Sequence, residues 1–90
     1  MTQITQEIKW EPVAKAKYDK MIEKIPLFHR QIAKLVVEKK AALNAQARGN
    51  GHILEEDIVR AFLTEVPLAF YSLMIRLMDE VGFDYKKYES

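Results

Sequence analysis

Apolar residues recur along this chain at helical spacing, in four runs separated by proline or glycine. From Pro12 to Lys24, the residues Ala14, Tyr18, Met21 and Ile22 fall on one face, with Ile25 just beyond, while Lys15, Lys17, Asp19, Lys20 and Glu23 mostly point away. Proline suits the first helical position because the N–H it lacks has no partner there, and Glu11 beside it suits the positive end of the helix dipole. Ile25-Pro26 ends the run, since a residue before proline is steered away from helical angles. The longest helix is predicted from Pro26 to about Arg48, with Phe28, Ile32, Leu35, Val36, Ala42 and Leu43 on the stripe expected to face the core. Lys39 falls near the middle of that stripe, where it is expected to snorkel outward or to end the contact zone. Arg30, Lys34 and Arg48 lie close together on the opposite side.

Gly49-Asn50-Gly51 supplies residues that tolerate left-handed angles past a helix end, and Ile53 is expected as a short extended residue packed inward. A third helix is predicted from Glu55 to just before Pro67, burying Ile58, Val59, Phe62, Leu63 and Val66. Its first turn, Glu55-Glu56-Asp57, must take the place of a side-chain cap, because Leu54 cannot provide one. The fourth, Leu68 to Val81, differs from the others: its apolar residues spread over about 200° of the helical wheel, twice what a surface helix needs. A 90-residue chain can hardly cover such a helix itself, so Phe70, Leu73, Met74, Leu77 and Met78 are expected to form a partner interface, with Phe83, Tyr85 and Tyr88 of the tail folding back over it. No alternating run argues for a strand. The prediction is an all-α, four-helix domain without a sheet: residues 1–9 a flexible N-terminal segment, 10–90 a single helical domain.

Composition narrows the chemistry. There are no cysteines, which excludes disulfides, thiolate-ligated metal and a thiol nucleophile. No apolar run has the length of a bilayer span, and the first residues carry no signal pattern, so a soluble cytoplasmic protein is expected. The net charge of +1 conceals a polarity: Lys9 to Arg48 carries 10 basic and 4 acidic residues, whereas Gly49 to Ser90 carries 4 basic and 8 acidic. Such polarity suits head-to-tail contacts or an acidic partner for the first half.

The string Trp10-x-Pro12-x-Ala14, then Ile25-Pro26-x-Phe28-x-Arg30, then Glu38, Gly49, Ile53, Glu55 and Ala61 resembles a small family. This is the helical domain at the C-terminus of the B subunit of light-independent protochlorophyllide reductase, whose relatives also occur as stand-alone proteins. The resemblance covers about residues 9–62. Each of the intervals Trp10 to Pro26 and Pro26 to Ile53 is longer than the family pattern by about one helical turn, and Leu54 stands where the family usually has threonine. In that reductase the chemistry belongs to the larger nitrogenase-like body. The resemblance therefore implies no catalysis here, but an accessory role: docking to, covering or regulating a larger partner.

No catalytic constellation, metal site or cofactor is expected. His29 and His52 are the only imidazoles and have no spaced carboxylate partners. Arg30 is the candidate for binding a carboxylate or phosphate, with His29 and Lys34 beside it, or else it is a structural clamp on a neighbouring helix end. Trp10 is expected to staple the first helix to the bundle. The leading reading is a non-catalytic interaction module that self-associates as a homodimer or docks a larger protein. The alternatives are histone-like DNA binding and a hydrophobic cofactor or tetrapyrrole held between helices.

Overall fold

A computed structural model describes residues 9–49 and 51–88. In order these form β1 (Lys9–Trp10), α1 (Pro12–Lys24), α2 (Leu27–Ala47), β2 (His52–Ile53), α3 (Glu55–Glu65), α4 (Tyr71–Val81) and α5 (Tyr85–Tyr88), with one 3₁₀ turn, Leu68–Phe70, leading into α4. The chain is mostly helical, as the periodicity predicts. Two details differ: a short fifth helix follows α4, and a two-strand sheet is present. Of the N-terminal segment expected to be flexible, residues 1–8 lie outside the described residues, and Lys9 belongs to β1.

The sheet is parallel, with Lys9 opposite His52 and Trp10 opposite Ile53. The Lys9 N–H donates to the Gly51 carbonyl (3.0 Å) and the Glu11 N–H to that of Ile53 (2.9 Å). Two-residue strands are too short to show a period of two, which is why the sequence pattern missed them. The ladder holds the start of α1 beside the start of α3. Glu11 then caps α1, its carboxylate accepting from the Ala14 N–H (2.8 Å) and the Val13 N–H (3.2 Å). Trp10 stacks on Tyr18, ring centroids 5.1 Å apart, as a staple should.

The core takes Ala14, Tyr18, Met21 and Ile22 from α1, and Ile58, Val59, Ala61 and Phe62 from α3. From α2 it takes only small or β-branched residues, Val37, Ala41 and Ala45, one turn apart along the side that lies on α3. Small side chains at this spacing let the two helices approach closely. Of the stripe predicted to face the core, Val36 and Ala42 pack partly against it, while Phe28, Ile32, Leu35 and Leu43 are exposed.

Helix α4 also corrects the sequence reading. Met74, Leu77 and Met78 are all buried in the core, because α1, α3 and the tail surround the helix. The chain does cover this helix, so Leu77 and Met78 offer nothing to a partner. Lys17 stitches the end of α4 to the rest: its ammonium donates to the Gly82 carbonyl and to Glu55 (both 3.0 Å). Glu55 in turn accepts from the Asp84 N–H (3.1 Å). Gly82 ends α4 in the left-handed region at φ 90°. An added Cβ has room, its nearest neighbour being Lys17 Cε at 3.7 Å, so Gly82→Ala carries the backbone penalty alone. A urea titration should register a loss of about 1 kcal/mol.

Candidate functional site

Two proline breaks face each other across the molecule and frame an apolar depression. Ile25-Pro26 separates α1 from α2, and Val66-Pro67 separates α3 from the turn before α4. Between them runs an apolar groove of about 390 Å³, walled by Phe28, Ile32, Ala33 and Val36 of α2 on one side and by Val66, Phe70, Leu73 and Met74 on the other. His29 bridges the two walls, its ring 5.1 Å from Phe28 edge-on and 5.3 Å from Phe70. His29 and Glu65 are the titratable groups in this lining.

Beside the groove, the outer side of α2 forms a ridge. Phe28 is 85% exposed, Ile32 67%, Leu35 70% and, across the groove, Leu68 86% and Phe70 39%. Isolated exposed apolar residues are ordinary; here Phe28, Ile32 and Leu35 follow one another along one side of a single helix. Helix α2 therefore has two apolar sides: small residues buried within the chain, and large ones outside. Lys39 stands exposed on the outer side between Leu35 and Leu43, in line with the ridge rather than in the core.

The sequence-predicted site residues separate into different roles. Arg30 clamps the end of α1: its guanidinium donates to the carbonyls of Ile25 (3.0 Å) and Glu23 (3.0 Å). Those carbonyls have no partners in their own helix, so Arg30 serves as a C-terminal cap. Lys34 is exposed on α2, and His29 is the one member of that trio in the groove lining. Of the interface residues, Phe70, Leu73 and Met74 line the groove, while Leu77 and Met78 belong to the core.

Most residues that carry the family resemblance have structural duties. Trp10 stacks on Tyr18, Glu38 accepts from the Tyr18 hydroxyl (2.7 Å), Glu55 pairs with Lys17, and Ile53 and Ala61 are buried. Gly49 takes φ 77° past the end of α2. These positions hold the fold together and assemble no common site.

Burial and the Glu38 carboxylate push the Tyr18 hydroxyl well above the usual tyrosine range. The proton is thus held more tightly in the folded chain. The resulting stabilisation is complete below the ordinary tyrosine pKa near 10 and is lost as pH rises beyond it. Tyr18→Phe should cost about 1 kcal/mol at neutral pH, since water can still reach Glu38, and should flatten this alkaline decline. Urea midpoints from pH 8 to 11 measure both effects.

Of the basic face expected from Arg30, Lys34 and Arg48, the two arginines hold structural partners and Lys34 is exposed. Arg30 serves α1, and Arg48 forms a two-point pair with Asp57. Asp57, 1% exposed, also accepts from the Leu54 N–H (2.8 Å), which supplies the missing cap of α3. The Leu54 side chain has no acceptor to give, and its backbone carbonyl accepts from the Asp57 N–H (3.0 Å). The sequence pattern placed Asp57 at the helix start without revealing its burial or its partner nine residues upstream.

A second, polar depression is lined by Lys40, Asn44, Arg60, Thr64, Tyr71 and Lys86, among others. Among the described residues, one of its three cations has an ion-pair partner. Arg60 lies 3.6 Å from Glu56, and the Tyr88 hydroxyl is raised by burial and then by the fields of Glu55, Glu56 and Asp84. Among the described residues, no group of His, Asp or Glu side chains is placed to hold a metal ion, and no single helix is long and apolar enough to cross a membrane. Comparison with protein-family models, with curated proteins and with solved structures finds no match to this chain.

Proposed function

We propose that this chain is a non-catalytic interaction module that acts by protein–protein docking or self-association through the groove and the outer ridge of α2. The observation that carries this reading is the outward stripe of Phe28, Ile32 and Leu35 beside an apolar groove. Each such side chain gains about 1.5–3 kcal/mol when fully removed from water, and nothing within the described chain covers these three. The resemblance to the C-terminal domain of the reductase subunit supports an accessory role of the same kind. The clustered polar groups and perturbed carboxylates that acid–base chemistry needs do not converge in the groove.

The test places a photo-crosslinking benzoylphenylalanine at Phe28, with an equal substitution at Lys20, exposed on α1, as control. The reading predicts a discrete protein adduct from position 28 and none from position 20. Equal labelling from both positions, or none from position 28, contradicts it.

A second reading has the groove volume in its favour, because about 390 Å³ falls within the range of small-molecule sites. On that reading a hydrophobic cofactor or tetrapyrrole lies between α2 and α4 with His29 beside it. Titration with a porphyrin should then change its visible band, and Phe70→Glu should abolish the change. A flat titration removes this reading.

A further inference from the structure

We infer that the occupant of the groove is a second copy of this chain, joined by a two-fold axis that seats the α2 ridge of each copy in the groove of the other. The inference rests on the docking reading above and adds the partner's identity. Three observations support it.

The first is shape. Ridge and groove lie side by side on one surface, with Phe28 and Ile32 belonging to both. A surface that carries a projection next to its own complement is satisfied by a two-fold rotation, which makes both contacts at once and closes the assembly.

The second is area. Five large side chains as open as Phe28, Ile32, Leu35, Leu68 and Phe70 present on the order of 600 Å² of apolar surface. A standard interface takes about 800 Å² from each partner, polar rim included. The apolar centre of such an interface is therefore already present on one copy.

The third is charge. The ridge belongs to the basic half of the sequence, with Lys39 in line with it and no ion-pair partner for that lysine among the described residues. The far wall of the groove carries one charged residue, Glu65, in an otherwise apolar lining. A two-fold arrangement sets the ridge that carries Lys39 in each copy toward the wall that carries Glu65 in the other. A parallel stack of like surfaces would not.

Sedimentation equilibrium of the full chain tests the inference at about 100 μM, well above the micromolar Kd that such an area supports. The expected mass is twice that of the 10.5 kDa chain. Leu35→Glu on the ridge and Phe70→Glu on the groove wall should each give a monomer; Leu35 is 70% exposed, and because Phe70 is 39% exposed with its ring near His29, circular dichroism checks that each variant keeps its helicity. An equimolar mixture of the two variants keeps one intact ridge-in-groove contact of the two, so it should dimerise more strongly than either variant alone. A 10.5 kDa wild type, a dimer that both variants leave intact, or a mixture no stronger than its components overturns the inference.

A hydrophobic dye, anilinonaphthalene sulfonate, separates this failure from failure of the docking reading. A monomeric wild type that binds the dye, with binding lost in Leu35→Glu, overturns the second copy but leaves the face as a docking surface for another protein. A monomer that binds no dye overturns both.

Discussion

Replacing Arg48 by alanine should cost about 3–5 kcal/mol, enough to unfold a large share of a domain this small. The reason lies in what remains. Asp57 is buried at the start of α3, and Arg48 is the cation that pairs with both of its oxygens. The hydrogen bond to Asp57 holds the Arg48 guanidinium above its already high pKa, so the pair cannot be relieved by losing the arginine's proton. With arginine gone, the carboxylate keeps the Leu54 N–H as a donor but loses its charge partner. Arg48 also donates to the His52 carbonyl (3.3 Å), so the substitution loosens the β2 connection as well. Asp57→Asn should be milder, because the amide keeps an oxygen for the Leu54 N–H and introduces no unpaired anion. Urea unfolding of both variants, followed by helical circular dichroism, checks the order. An Arg48→Ala variant as stable as the wild type would show that Asp57 is not held as described.

The second large effect concerns the two sides of α2, and it reverses the usual expectation for leucine and alanine. Ala41→Glu should cost more than about 3 kcal/mol, since it places an unpaired carboxylate where α2 lies on α3 and no space is open. Leu35→Glu should change the stability of the single chain by no more than about 0.5 kcal/mol, because Leu35 is 70% exposed and touches no core. The comparison belongs at dilution, where association adds nothing to stability. Thermal unfolding at low micromolar concentration, in parallel for the two variants, gives the answer directly.

Much of the helical layout was legible in the sequence. Pro12, Pro26 and Pro67 mark breaks that the chain respects, and the predicted face of α1 is the buried one: Ala14, Tyr18, Met21, Ile22 and Ile25. The side of α2 that faces inward was not legible. Hydropathy ranks Phe28, Ile32 and Leu35 above Ala41 and Ala45, so a periodicity argument assigns the larger stripe to the core. Close approach to α3 selects instead for small volume, which hydropathy does not measure. The same rule misread α4: a helix apolar over most of its circumference is also what a helix enclosed by α1, α3 and the tail requires. Leu77 and Met78 therefore belong to the core, and the candidate surface lies on α2 and at the turn before α4.

Other features depend on contacts that no local pattern encodes. Arg48 meets Asp57 only because the chain turns at Gly49 and returns through β2. The groove exists because the breaks at Pro26 and Pro67, 41 residues apart in the sequence, come to face each other. Arg30 was legible as a clamp or a binding group, and its bonds to the carbonyls of Ile25 and Glu23 give it the first of these duties.

Helix α2 turns Phe28, Ile32 and Leu35 outward and Ala41 and Ala45 inward. The chain has no cysteine, so a single introduced thiol reports on one position without interference. Leu35→Cys and Ala41→Cys, treated with a thiol-reactive chromophore at a dilution that keeps the chain monomeric, measure the two sides directly. The thiol of Leu35→Cys should react at nearly the rate of the unfolded chain, while that of Ala41→Cys should be protected by about the factor set by global unfolding. A protected thiol in Leu35→Cys beside a reactive one in Ala41→Cys would contradict it.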